Sequence, residues 1–259
     1  MKIFRTLSFV LMATASVGAS AMANTAQPAD PRALLRKVNA YCPGGIERIL
    51  PGEYYFCAAA RDFGKNHDAR ARERLRDAAY WASKPAQYVL GLMYFNGDDG
   101  PINRPLGVAW LALASERHDP RFEPAFAKAY LQLSPAEKAQ ADAYWVDMRE
   151  KYGDRTAGTR AHRIYLAEMR NLQAALMFGG SVFIDGIAPP NGDSVGSFNG
   201  PGGARASSVG SGSTGFTIQR LIGKSGDDFF RGLNGTVTVG DAEMVPLGNV
   251  VTKAWPKAD

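Results

Sequence analysis

From Asp30 to about Phe178, apolar residues return every three or four positions in a stretch rich in Ala, Leu, Arg and Glu. That period matches the 3.6-residue turn of an amphipathic helix and not the two-residue alternation of a half-buried strand. Gly64-Lys65-Asn66, Gly97 to Pro101, Asp119-Pro120 and Ser134-Pro135 interrupt it, so several short helices are expected rather than one long one. Ser134-Pro135-Ala136-Glu137 has the chemistry of a helix start. The Ser oxygen can accept a free backbone N–H, Pro suits the first turn, and Glu can reach back to the cap. The spacing predicts a helix from there to Tyr152, ended by Gly153, and another over Thr159 to Phe178, ended by Gly179-Gly180. The expected fold class is all-α, with a helical domain over residues 30–180.

The sharpest pattern runs from Pro85 to Gly100 and on through Leu106 to Ala114. It predicts two helices joined by a glycine-bearing turn. On the first helix Ala86, Leu90, Met93 and Tyr94 share a face. Gly91 beside them admits a neighbouring backbone, at a propensity loss of about 1 kcal/mol. Gly97 and Gly100 are expected to supply the unusual dihedrals of the turn. On the second helix Ala109, Trp110, Leu113 and Ala114 can pack back against the first.

Ala86, Leu90-Gly91, Met93-Tyr94, Gly97, Gly100, Ala109-Trp110 and Ala114 together resemble the Sel-one-like repeat, a relative of the tetratricopeptide repeat with one helix pair per unit. The chain departs from that pattern at Pro101 and at Asn103-Arg104, both in the turn. The match is strong over residues 85–117 and weaker over 50–152, where Pro85-Ala86 recurs as Pro124-Ala125 and Tyr54 to Ala82 forms an upstream unit. The resemblance implies an α-solenoid of helix-turn-helix repeats that binds another protein, without cofactor or catalysis. Trp110 reads as core, and Tyr88, further from the apolar stripe, is the candidate partner contact.

The amino terminus places the chain. Lys2 and Arg5 precede an uncharged, largely apolar run from Leu7 to Gly18, and Ala21-Met22-Ala23 comes next. This is the layout of a cleavable signal peptide over residues 1–23, and the run is shorter than a spanning helix needs. No later stretch is apolar for long enough to span, so no integral membrane span is expected after cleavage. Export to an oxidising compartment makes Cys42 and Cys57, the only two cysteines, an expected structural disulfide. A thiol or metal pair fits less well, with no C-x-x-C and His67 the nearest histidine. The net charge of +5 includes Lys2 and Arg5, leaving +3 without them and no basic stripe, which argues against nucleic acid. The expected address is the periplasm, with secretion or outer-membrane association as alternatives.

Beyond residue 185 the character changes. Of the thirty residues 186–215, eighteen are Gly, Ser or Pro, the composition of a flexible linker. Gly210 to Gly215 spells a dinucleotide fingerprint, but no hydrophobic strand precedes it. Gly223-Lys224-Ser225 lacks the earlier glycine of a phosphate loop, because Ile218 stands there. Ser225 to Gly235 resembles one turn of a calcium-binding nonapeptide repeat without a stacking partner, so Asp227 and Asp228 are expected to face solvent in a turn. Thr236 to Val239 and Met244 to Val251 alternate or cluster apolar residues, so residues 216–259 read as a small β-prone tail.

Catalytic signatures are missing. His67, His118 and His162 stand alone in charged contexts expected to face solvent, with no H-E-x-x-H spacing and no G-x-S-x-G elbow. No catalytic, cofactor-binding or metal-binding residue is assigned. The expectation is a non-catalytic scaffold of the bacterial envelope that binds a protein partner. The alternative is an envelope enzyme acting on peptidoglycan or a related glycan, which would require two carboxyl groups facing one cleft.

Overall fold

The computed structural model describes residues 30–38, 42–98, 100–177, 184 and 215–233. The expected signal peptide, the linker up to residue 214 and both expected strands lie outside them. Helix is the dominant structure throughout the described residues, in the order α1 (Pro31–Arg36), α2 (Ile46–Ile49), α3 (Pro51–Gly64), α4 (Asp68–Tyr80), α5 (Lys84–Asn96), α6 (Arg104–Ala114), α7 (Glu123–Leu131), α8 (Pro135–Tyr152), a π-helical turn (Asp154–Gly158), α9 (Thr159–Met177) and α10 (Gly215–Phe229). The described residues are thus mostly helical, consistent with the expected all-α class.

The centre of the molecule is the α5–α6 hairpin. Its turn is built by Gly97, which takes φ 81° and donates its N–H to the Met93 carbonyl at 2.9 Å. Gly100 is not in the left-handed region, so one glycine makes the turn where two were expected. Asn103, the departure from the repeat pattern, caps α6: its side chain accepts the Leu106 N–H at 3.1 Å. The two helices then cross glycine on glycine. A Cβ on Gly91 would meet the Gly107 carbonyl oxygen at 2.9 Å, and one on Gly107 would meet the Phe95 nitrogen at 2.6 Å and the Gly91 oxygen at 2.7 Å. Gly91 was expected to admit a backbone, and Gly107 is the half of the contact that the repeat signature does not contain.

This hairpin is buried on both sides, which is why it is apolar nearly all round. One side joins Leu90, Met93, Ala109, Trp110 and Leu113 to Phe56 of α3, Leu75 of α4 and Met148 of α8. The other joins Leu92, Phe95, Val108 and Leu111 to Phe126 and Tyr130 of α7 and Ala141 of α8. Helix α8 carries the expected capping box, with Ser134 and Glu137 each bonded to the other's backbone, and ends at Gly153. A third cluster forms where α2 (Ile46, Ile49), Leu50 and α9 (Tyr165, Leu172) receive Ile218, Ile222 and Phe230 from the C-terminal segment. The Cys42–Cys57 disulfide is formed and ties the approach to α2 onto α3.

The start of the tail is a correction. Residues 215–229 are helix, not linker end or β-prone tail, and Asp228 sits at the helix end facing a cavity instead of a solvent turn. The reason is packing. Gly226 reads as a turn glycine, yet a Cβ there would meet the Tyr165 ring at 2.3 Å, so the glycine is demanded by a close helix–helix approach. Burial of Ile218 and Ile222 then outweighs the poor helix propensity of the segment. His162, expected to face solvent, is half-buried, its ring 4.9 Å from that of Phe230.

The glycine contacts yield a paired prediction. Gly107→Ala is expected to destabilise the protein by about 1–3 kcal/mol through overpacking against backbone. Gly64→Ala, at a site with nothing within 4 Å, is expected to be neutral or stabilising by up to ~1 kcal/mol. Urea unfolding of the two variants beside the wild type checks both signs.

Candidate functional site

Lys84 opens α5 and is almost wholly buried, so its charge must be matched. Its Nζ donates to Gln87 Oε1 at 3.1 Å, the Leu113 carbonyl at 2.7 Å and Glu116 Oε2 at 2.7 Å, and lies 3.2 Å from Asp154 Oδ1. Arg117 completes the group. It grips Asp154 in bidentate fashion, Nε to Oδ2 at 2.9 Å and Nη2 to Oδ1 at 2.8 Å, and donates through Nη1 to the Phe229 carbonyl. Glu116 Oε2 also accepts the Asp154 backbone N–H at 3.0 Å, offered by the π-helical turn. Two cations and two carboxylates thus bind together the start of α5, the end of α6, the turn before α9 and the end of α10.

The two acids respond in opposite directions. Burial raises Glu116, and Lys84 only partly offsets it while Asp154 adds repulsion. Burial also pushes Asp154 upward, but Lys84 and the two-pronged Arg117 outweigh it and hold Asp154 below its ordinary value. The difference comes from the contacts, since Asp154 has two cations and Glu116 one.

Beside this network lies a cavity of about 310 Å³. Its walls come from the first turn of α3 (Glu53, Phe56), the residues after α6 (Arg117, Asp119, Arg121, Phe122) and the C-terminal segment (Ser225, Asp228, Phe229, Arg231). The rim cations are matched: Arg121 holds Asp119 through Nε at 2.9 Å and pulls its pKa down, and Arg231 pairs with Asp228. Glu53 is not. It is 3% exposed, and neither carboxyl oxygen has a hydrogen-bond partner. Burial, with the Asp228 charge adding to it, pushes its pKa up to about 8, so at neutral pH the group is mostly a protonated acid. Ser225 Oγ, on α10, is also buried without a partner. Chemically the cavity offers one protonated acid, a second carboxyl group on Asp228, a serine hydroxyl and aromatic walls. Among the described residues no cluster of His, Cys, Asp and Glu could hold a metal ion.

The residues singled out from sequence lie elsewhere. Ala86, Leu90, Gly91, Met93, Ala109, Trp110 and Ala114 are interior, and the Trp110 ring packs 4.7 Å from that of Tyr152. Tyr94 is half-buried and accepts from Arg76 at 2.8 Å. Tyr88 is half-buried too, its ring 5.1 Å from Phe122, and it touches both core clusters of the hairpin. Glu53, Lys84, Arg117 and Asp154 carried no sequence signal, and Asp228 drew notice only within the repeat-like stretch Ser225 to Gly235, as a residue expected to face solvent. An acid in the first turn of a helix, as in Pro51-Gly52-Glu53, ordinarily marks a solvated helix start.

Searches against protein-family models, curated proteins and solved structures found no match.

The network predicts a large and one-sided effect. Lys84→Met leaves Asp154 with Arg117 alone and Glu116 with no cation, and is expected to cost about 3–5 kcal/mol, read by thermal and urea unfolding. Because Asp154 is held below its ordinary value of 3.8 when folded, its contribution is present above that pH and lost as pH falls through the folded value. The gap between wild type and Lys84→Met should therefore narrow below about pH 4.

Proposed function

We propose that this chain is an exported, non-catalytic binding protein of the bacterial envelope, whose stacked helix pairs hold a protein partner. The reading rests on the Sel-one-like character of residues 85–117, together with a hairpin, α5–α6, that is packed on both sides by neighbouring helices as a repeat inside an array is. The observation that carries it is the seating of α10. The helical body accommodates an amphipathic helix on the apolar face of α2 and α9, joined to it through chain dominated by Gly, Ser and Pro. A body that seats one such helix has the surface chemistry to seat another. The Cys42–Cys57 bond supports an oxidising address, and among the described residues no helix is long and apolar enough to cross a membrane. The proposed address is the periplasm.

One observation favours a second reading. Glu53, raised to about 8, and Asp228 face one cavity, and a protonated acid beside a second carboxyl group is the minimal equipment of a glycan-cleaving enzyme. Asp228 is engaged by Arg231 in this structure, so the binding reading is preferred.

The test is capture of partners by the mature protein from cross-linked envelopes of its host, beside a truncation ending near Asp185. A single protein recovered in stoichiometric amount, which rebinds in purified form, is the expected result. Retention by both forms places the partner on the helical body, and loss on truncation places it on the C-terminal segment. Failure to recover any protein, with release of sugar from peptidoglycan that Glu53→Gln abolishes, would replace the binding reading with the second one.

A further inference from the structure

Glu53 is held in an arrangement that does not tolerate its charge. Helix α10 closes over it: the Phe229 ring lies so near the first turn of α3 that a Cβ on Gly52 would meet it at 2.6 Å, and Ser225 and Asp228 face the same cavity as Glu53. Both Glu53 oxygens and Ser225 Oγ are shut off from solvent without a partner. Every cation on the cavity wall is committed elsewhere. Lys84 faces Glu116 and Asp154, Arg117 faces Asp154 and the Phe229 carbonyl, Arg121 faces Asp119, and Arg231 faces Asp228. An ionised Glu53 would thus stand beside the Asp228 charge with no counterion. Lifting α10 would hydrate it. The contacts to be undone include Ile218, Ile222 and Phe230 on the apolar face, the Tyr165 ring against Gly226, Phe229 on α3, and the Arg117 bond, while the two clusters around α5–α6 contain no residue of α10.

We propose that α10 is a proton-held latch: it stays seated while Glu53 carries its proton, and ionisation of Glu53 releases it, baring the face of Ile46, Ile49, Tyr165 and Leu172 to an amphipathic helix of the partner. Only the partner half of this statement rests on the binding function proposed above. The sign comes from linkage. Seated, Glu53 has a pKa of about 8 against an ordinary 4.5, so its contribution to closure is complete below about 4.5 and is lost as pH rises towards 8. The opening constant of α10 should climb about tenfold per pH unit across that window and level off above it.

Hydrogen–deuterium exchange of the full chain, corrected for intrinsic rates, reads this directly. Amides of α10 are expected to lose protection by that factor with rising pH, while those of α5 and α6 do not follow. In Glu53→Gln the dependence should vanish, although His162 and Tyr165, which face α10 from α9, remain. Protection of α10 that does not change with pH, a dependence that survives Glu53→Gln, or parallel loss throughout the body would each overturn the latch. Should Glu53→Gln fail to fold, Asp228→Asn removes the neighbouring charge and is expected to move the plateau to lower pH, and an unmoved plateau is a refutation. The partner half is probed with a labelled peptide of residues 215–233 added to the full chain. Binding at least tenfold tighter at pH 8.5 than at pH 6 supports it, and equal or absent binding overturns it. If the exchange result holds while envelope capture fails, the binding function falls and the latch stands.

Discussion

The glycine-on-glycine crossing of α5 and α6 is the contact on which the other packing depends. With Gly91 and Gly107 at the crossing, the two backbones approach closely, with the Leu111 side chain also against Gly91, and the pair becomes a thin slab with two apolar faces. Helices α3, α4 and α8 cover one face and α7 the other, α8 reaching both. A bulkier residue at either position would separate the helices and misplace both layers together, because close-packed interiors transmit strain and do not absorb it. The same crossing sets where α5 begins and α6 ends, and hence where Lys84 and Glu116 meet.

That meeting point joins the helical body to the C-terminal segment. Lys84 and Arg117 would each carry a heavy desolvation penalty alone, yet with Glu116 and Asp154 they form a neutral group whose hydrogen bonds are largely satisfied. The π-helical turn belongs to the same device, since it offers the Asp154 N–H to Glu116 and the Asp154 carboxylate to both cations. Arg117 then donates a remaining N–H to the Phe229 carbonyl. One buried arginine therefore couples the α5–α6 core to α10, and it does so through a polar contact that can be broken without opening either core cluster around the hairpin.

What could be read from sequence was what local chemistry decides. The α5–α6 hairpin, the Ser134 capping box, the end of α8 at Gly153 and the extent of α9 are set by periodicity and cap residues within a few positions of each other. The disulfide rested on an expected compartment and a cysteine count. Helix α10 was not legible, because Gly223 and Gly226 argue locally against helix, and only the approach of Tyr165, far earlier in the chain, explains Gly226. The cavity was hidden for the same reason. Glu53, Arg117 and Asp228 lie far apart in sequence and are ordinary where they stand, since their unusual surroundings are created by the elements that fold on top of them.

Glu53 shows how such a burial can reverse a local preference. In the first turn of α3 the helix dipole favours a negative charge, by up to about 2 kcal/mol in partly buried settings. The rise from 4.5 to about 8 corresponds to roughly 5 kcal/mol in the opposite direction. Burial therefore outweighs the dipole while α10 is in place. Without that cover the same carboxyl group would sit at an open helix start, hydrated and favoured by the dipole as an anion. On the latch proposed above, each protonation state of Glu53 suits one placement of α10 and opposes the other. A residue serving only to stabilise the closed fold would do better as leucine or as glutamine with a partner, since an unpartnered buried acid costs stability across the whole range from weakly acidic to alkaline pH.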